Sequence, residues 1–144
     1  MKNKLHEFIL TFFLVGYVTS FPGTLASFVT LVICFFIPFK IYFLLSFIVF
    51  ILAFYSCYLF SKNSDLEDPS FIVIDEVIGM MISLLFIQKN LILYIVAFLL
   101  FRFFDIMKPS IINHSQNLKY GIGIVMDDII AALFVILIMY NIYL

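Results

Sequence analysis

Hydrophobic and polar positions alternate in long blocks along this chain, with apolar runs separated by short polar or proline-bearing breaks. Leu5–Val15 is apolar but shorter than the ~20 residues of a crossing helix. It predicts an interfacial or half-inserted helix with Lys2 and Lys4 at the headgroups. Thr24–Ile37 predicts an apolar helix that opens just after Pro22-Gly23 and is ended by Pro38 and Lys40. Tyr42–Phe60 predicts a full span, and Ser61–Ser70, carrying Lys62, Asp65, Glu67, Asp68 and Pro69, a polar linker. Phe71–Gln88, Asn90–Met107 and Ile122–Tyr143 predict three further spans, with the polar loop Lys108–Tyr120 between the last two. The pattern predicts an all-α, polytopic membrane helix bundle with about five membrane-embedded helices plus an N-terminal interfacial helix, in a single domain over residues 1–144. Met1–Lys4 followed by an apolar run imitates a signal peptide. The run continues through Tyr17, Phe21 and Pro22 without a small-residue cleavage site, so it reads as mature chain.

Composition agrees with that picture. The chain is 65% apolar and 12% charged, whereas an ordinary soluble domain is roughly 45–50% apolar and about 25% charged. A core built from 144 residues cannot hide so much Phe, Ile and Leu, so a bilayer must act as solvent. A net charge of −1 without a basic stripe excludes a nucleic-acid partner. Cys34 and Cys57 lie in apolar runs and read as small hydrophobes rather than a disulfide or metal ligands. Orientation follows the basic residues: Lys2, Lys4, Lys62, Lys108 and Lys119 share one side, against Lys40 and Lys89 on the other. That bias places the N-terminus and both polar loops in the cytoplasm.

The acids change the picture most. Asp75 and Glu76 fall near the start of the third predicted span, Asp105 near the end of the fourth, and Asp127 and Asp128 one to two turns into the fifth. With alternating chain direction, all five converge at similar depth near the cytoplasmic face. An acid at the bilayer centre costs ~2.5–3.5 kcal/mol on insertion scales, less near an interface. Five together also repel one another, and only Arg102 and Lys108 are nearby to offset them. A shared divalent cation resolves the conflict, and an all-oxygen ligand set favours Mg²⁺ or a similar hard ion. Arg102, Asp105 and Lys108 are spaced three apart and form a ridge on one helix face. Pro22-Gly23-Thr24 and Gly121-Ile122-Gly123 each open a helix, where exposed N–H groups suit an anion.

Four segments resemble the phosphatidylglycerophosphatase A family, over nearly the whole chain and with matching order and spacing. Phe21–Ser27 is similar to its PGT-x-x-S segment, and Asp68–Gly79 to its DPS-x-x-V-x-DE-x-x-G segment. Phe101–Pro109 is similar to its FR-x-x-D-x-x-KP segment, and Gly121–Ala132 to its GGxGI-x-x-DD-x-x-A-G segment. The chain departs from the pattern at Tyr120 and Ala132, where Gly is common, and at Ser110-Ile111-Ile112, where aromatics are frequent; no departure touches a carboxylate. The resemblance implies a Mg²⁺-dependent enzyme of the bacterial cytoplasmic (inner) membrane, with its active site at the cytoplasmic face. Its substrate would be phosphatidylglycerophosphate, cleaved to phosphatidylglycerol and phosphate in the last step of phosphatidylglycerol synthesis.

On that reading Asp75, Glu76, Asp127 and Asp128 hold the metal, and Asp105 is a further ligand or the general base. Arg102 and Lys108 neutralise phosphoryl charge, and Gly23, Thr24, Ser27, Gly121 and Gly123 complete a phosphate cradle. Pro22, Asp68, Gly79 and Pro109 support it. The absence of a D-x-D-x-T pattern favours attack by water over an aspartyl-phosphate. Simpler roles compete at several positions: Arg102 as a local partner of Asp105, Asp68 as a cap with Pro69 at the first helical position, Ser27 as a packing residue, and His6 and His114 as interfacial or loop residues. A lipid head-group phosphotransferase is the closest rival, weakened by the lack of a D-x-x-D-G-x-x-A-R pattern. A cation- or proton-coupled transporter is disfavoured by the one-sided acids and by a chain too short for paired repeats.

Overall fold

The computed structural model describes residues 4–64, 69–109, 112 and 121–143. Among them the chain is all-helical, with six α-helices: α1 (Lys4–Leu10), α2 (Pro22–Phe36), α3 (Phe39–Asn63), α4 (Ile74–Leu84), α5 (Leu91–Met107) and α6 (Ile122–Tyr143). A single 3₁₀ turn, Val15–Tyr17, lies between α1 and α2. α4 is the hub: it packs against α2, α3, α5 and α6, while α5 also packs on α2 and α6.

Local chemistry sets the helix ends. Pro22 sits in the first turn of α2, where its missing N–H costs nothing. The Asn90 side chain caps α5 by accepting from the N–H groups of Ile92 at 2.9 Å and Leu93 at 3.4 Å. Lys108, in the left-handed conformation, closes α5 with its N–H on the Phe104 carbonyl. At the other end of the bundle the Lys89 ammonium donates to the last carbonyls of the α2 segment, at Phe35 and Ile37.

α3 shows how the surface is organised. Its buried positions are Tyr42, Ser46, Ala53, Ser56, Cys57 and Phe60, a largely small or polar stripe. Its outward positions include Phe43, Leu44, Phe47, Ile48, Ile51 and Tyr55. The outside of the helix is thus more apolar than the inside, the reverse of a helix in water. Cys34 and Cys57 are both buried in the apolar core.

Three expectations from the hydropathy pattern need correcting. Among the described residues two helices, Phe39–Asn63 and Ile122–Ile142, are long and apolar enough to cross a membrane by themselves, with Pro22–Phe36 a shorter apolar helix, fewer than the five expected. The expected span Phe71–Gln88 is helical only over the 11 residues of α4. Its helix begins at Ile74 with Val73 as cap, so Pro69 is not a first helical position; the Ile72 N–H instead closes a turn onto the Pro69 carbonyl at 2.9 Å. Asp68 itself, with Asp65, Glu67, His114, Lys119 and Tyr120, lies outside the described residues. Lastly, the expected helix Leu5–Val15 stops at Leu10, because Phe12, Phe13 and Leu14 all take positive φ and reverse the chain.

Candidate active site

Four helix ends meet at one end of the bundle. The first turns of α2 and α4 and the second turn of α6 bring Gly23, Asp75, Glu76, Asp127 and Asp128, and the last two turns of α5 bring Arg102 and Asp105. α4 can approach its neighbours because two glycines remove side chains at the contacts. A Cβ on Gly23 would overlap the Glu76 carboxylate and come within 3.3 Å of the Arg102 guanidinium. A Cβ on Gly79 would stand 2.7 Å from the Phe101 ring and 3.0 Å from Asp128 Cβ.

The carboxylates divide into distinct groups. Asp75, Glu76 and Asp128 each offer an oxygen, and the three oxygens lie within 4.8 Å of one another. Asp105 Oδ2 receives the Arg102 guanidinium at 2.6 Å, and its carboxyl also meets that of Asp128. Asp127, although next in sequence to Asp128, stands outside the trio, where its Oδ2 receives the Lys108 ammonium at 2.7 Å. Burial alone would pull the Lys108 ammonium down, but the hydrogen bond and charge of Asp127 hold its pKa above the usual lysine value.

Asp75 Oδ1, Glu76 Oε2 and Asp128 Oδ1 are buried and have no hydrogen-bond partner among the described residues. A buried acceptor left unsatisfied costs about 1–3 kcal/mol, and a charged one more. Three such oxygens would consume much of a typical stability of roughly 5–15 kcal/mol. The helix N-termini facing them contribute only ~0.3–1 kcal/mol each. Among the described residues the two paired basic groups leave three of the five formal negative charges uncompensated. Three carboxylates whose oxygens converge, each with one buried oxygen lacking a donor among the described residues, fit a divalent cation.

The other expected phosphate ligands are placed as follows. Ser27 is fully buried and its hydroxyl donates to the Gly23 carbonyl at 2.8 Å, a helix-internal bond. Thr24 is half-buried beside Gly23. The Arg102 Nε has no hydrogen-bond partner among the described residues. Gly121 has φ +72° and rests against the Cys57 carbonyl on α3, so close packing and the left-handed backbone account for it without a ligand. Gly123 is buried in α6 and Pro109 exposed beyond α5. His6 Nε2 lies 2.8 Å from the Ser56 carbonyl, consistent with a structural role.

A family model described as phosphatidylglycerophosphatase A matches residues 8–143. The chain belongs to the phosphatidylglycerophosphatase A family. It is 35% identical over 105 residues to the Haemophilus influenzae protein named phosphatidylglycerophosphatase A, covering 72% of this chain and 64% of that one. It is 33% identical over 115 residues to the Escherichia coli K12 protein of the same name, covering 76% and 67%. A Bacteroides thetaiotaomicron protein, provisionally named a phosphatidylinositol-3-phosphatase, is 45% identical over 71 residues, 47% of this chain and 45% of that one. The matches thus span about half to two thirds of these relatives' length. No solved structure matches.

The described residues of all four segments that resemble the phosphatidylglycerophosphatase A pattern include side chains or backbone at this end of the bundle. One further contributor lies outside those four segments: the N-terminal segment. The Val73 N–H, one turn before Glu76, donates to the Leu10 carbonyl at 2.9 Å, and a Cβ on Gly16 would overlap the Phe71 carbonyl. A lone glycine inside an apolar run was the available signal.

Proposed function

We propose that this protein is a membrane-embedded hydrolase, a single domain over residues 1–144, that cleaves the terminal phosphomonoester of phosphatidylglycerophosphate to phosphatidylglycerol and phosphate. Family membership supports the substrate. The observation that carries the reading is the converging carboxylate trio from α4 and α6, each with one buried oxygen that has no hydrogen-bond partner among the described residues. It suits a hard divalent cation, with Mg²⁺ the natural choice for a phosphate substrate.

In this mechanism Asp75, Glu76 and Asp128 hold the cation; Asp127 orients Lys108 at its margin. When bound, such an ion polarises the phosphoryl oxygens and offsets the charge of carboxylates and phosphate. Arg102 and Lys108 take up charge on the equatorial oxygens, and the N–H groups at Gly23 and Thr24 contact the phosphate. Asp105 accepts a proton from the attacking water. The water oxygen bonds to phosphorus as the ester P–O bond breaks; the glycerol oxygen takes up a proton from solvent, and Asp105 returns its own to solvent. Arg102, already held on Asp105, couples the base to the phosphate.

The setting is the bacterial inner membrane, with α2 to α6 embedded, α1 at the interface and the site at the cytoplasmic face. The apolar outer face of α3 and the Lys bias support this arrangement. The test is phosphate release from phosphatidylglycerophosphate by purified protein in mixed micelles with Mg²⁺. Asp75→Asn and Asp128→Asn should each lower kcat by at least about 10²-fold. No release by a folded sample would sink the proposal. Phosphatidylinositol-3-phosphate belongs in the same assay, because the Bacteroides thetaiotaomicron relative is named for that head group. Faster release from it would move the substrate assignment and leave the chemistry in place.

A further inference from the structure

We propose that the N-terminal segment Lys4–Tyr17 is a strap that positions the first turn of α4, with Leu10, Thr11 and Gly16 as positioning residues for Asp75 and Glu76. This rests on the reading of those two carboxylates as cation ligands. α4 starts without a side-chain cap: Val73, its N-cap, makes no such bond. The Val73 N–H is directed instead to the carbonyl of Leu10, the last residue of α1, at 2.9 Å. A helix-terminal carbonyl and a helix-initial N–H, both lacking partners within their own helices, thereby satisfy each other. Gly16 seats its bare Cα against the Phe71 carbonyl, two residues upstream, and the Tyr17 ring lies 5.6 Å from the Phe71 ring.

The strap is itself held in shape. Phe12, Phe13 and Leu14 have φ of 46°, 57° and 70°, a backbone that non-glycine residues rarely adopt three times in succession. Thr11, fully buried, fixes the reversal: its hydroxyl donates to the Glu7 carbonyl at 2.8 Å and accepts from the Leu14 N–H at 3.1 Å. The Gly16 N–H returns to the Thr11 carbonyl at 2.9 Å, which closes the loop and brings Gly16 level with Phe71. Leu10 is fully buried, so its carbonyl cannot drift from Val73 without opening the core. Asp75 and Glu76 follow Val73 by two and three residues in a rigid helical turn, so a displacement at Val73 carries directly to their carboxylates.

The experiment compares the full chain with Gly16→Ala, Thr11→Val and, as a control, Val18→Ala, whose side chain is exposed. Three readouts are taken in detergent micelles: Mn²⁺ affinity by calorimetry, kcat and KM for phosphatidylglycerophosphate, and backbone hydrogen exchange over residues 71–77. Gly16→Ala should weaken Mn²⁺ binding by about tenfold. It should lower kcat by roughly tenfold or more, with KM within about twofold. Exchange should accelerate over residues 71–77 while the other helices stay protected. Thr11→Val should give the same pattern more mildly and decides the matter alone if Gly16→Ala does not fold. Val18→Ala should match the parent. Unchanged Mn²⁺ affinity and kcat in a variant whose residues 71–77 exchange faster would overturn the strap. So would losses spread evenly over all helices. If the parent protein binds Mn²⁺ but releases no phosphate, the proposed function fails, while cation affinity and exchange still judge the strap.

Discussion

Asp128 is the residue on which most constraints converge. Its oxygen joins the trio with Asp75 and Glu76, its carboxyl meets Asp105, and its Cβ packs over Gly79. Gly79→Ala places a methyl group 2.7 Å from Phe101 and 3.0 Å from Asp128 Cβ. The expected outcome is a loss of about 1–3 kcal/mol in stability from overpacking, read by thermal unfolding in detergent, together with weaker cation binding. Lys108 offers a pH test. Its folded pKa is raised, so its stabilising pair with Asp127 is fully present below the unfolded lysine value and is lost as pH climbs through the higher folded value. A Lys108→Met variant should therefore unfold at lower temperature than the parent by a constant margin across neutral pH, and the margin should close only in strongly alkaline solution. The five acids were legible in the sequence because charge inside an apolar run is costly and needs a reason. Their division of labour was not. Asp127 and Asp128 are adjacent in sequence, yet neighbours on a helix diverge by roughly 100°, and only the packing of α6 decides which faces Lys108 and which the trio.

At the scale of elements, hydropathy located α2, α3, α5 and α6 to within a few residues because each is a continuous apolar run with a clear stop such as Pro38 or Asn90. It overextended α4 because apolarity carries no information about where backbone hydrogen bonds go. Residues 71–73 are as apolar as the helix that follows, but the Val73 N–H is committed to Leu10. At the other end the Leu85 and Ile87 N–H groups close onto Ile82 and Leu84, and the Tyr42 hydroxyl of α3 donates to the Met81 carbonyl. Tyr42 is buried, so Tyr42→Phe leaves that carbonyl short of a donor. A loss of about 1–3 kcal/mol is expected, seen as a lower unfolding temperature with cation affinity unchanged, because Met81 lies at the far end of α4 from Asp75.

Across the whole molecule, outward-facing Phe, Leu and Ile residues cover α3 and continue onto α5 and α6, including Leu99, Phe103, Leu133 and Leu137. The proposed orientation is open to labelling in intact cells. The native thiols are buried, so a cysteine introduced at Lys62 should react with a reagent only once it can enter the cytoplasm. One introduced at Lys40 should react from outside; the reverse result would invert the orientation. The shortness of α4 also bears on how the protein is made. At ~1.5 Å per residue, its 11 residues cover about half of a hydrocarbon core roughly 30 Å thick. Two of those residues are acids, which the insertion machinery rejects at ~2.5–3.5 kcal/mol near a helix centre. Such a segment is poorly suited to enter the bilayer alone as it leaves the ribosome. It would settle only when α5 and α6 emerge to surround it. In the proposed orientation, synthesis arrested before α6 would then leave α4 exposed to cytoplasmic proteases, and the chain would become both resistant to degradation and competent for chemistry in the same late step.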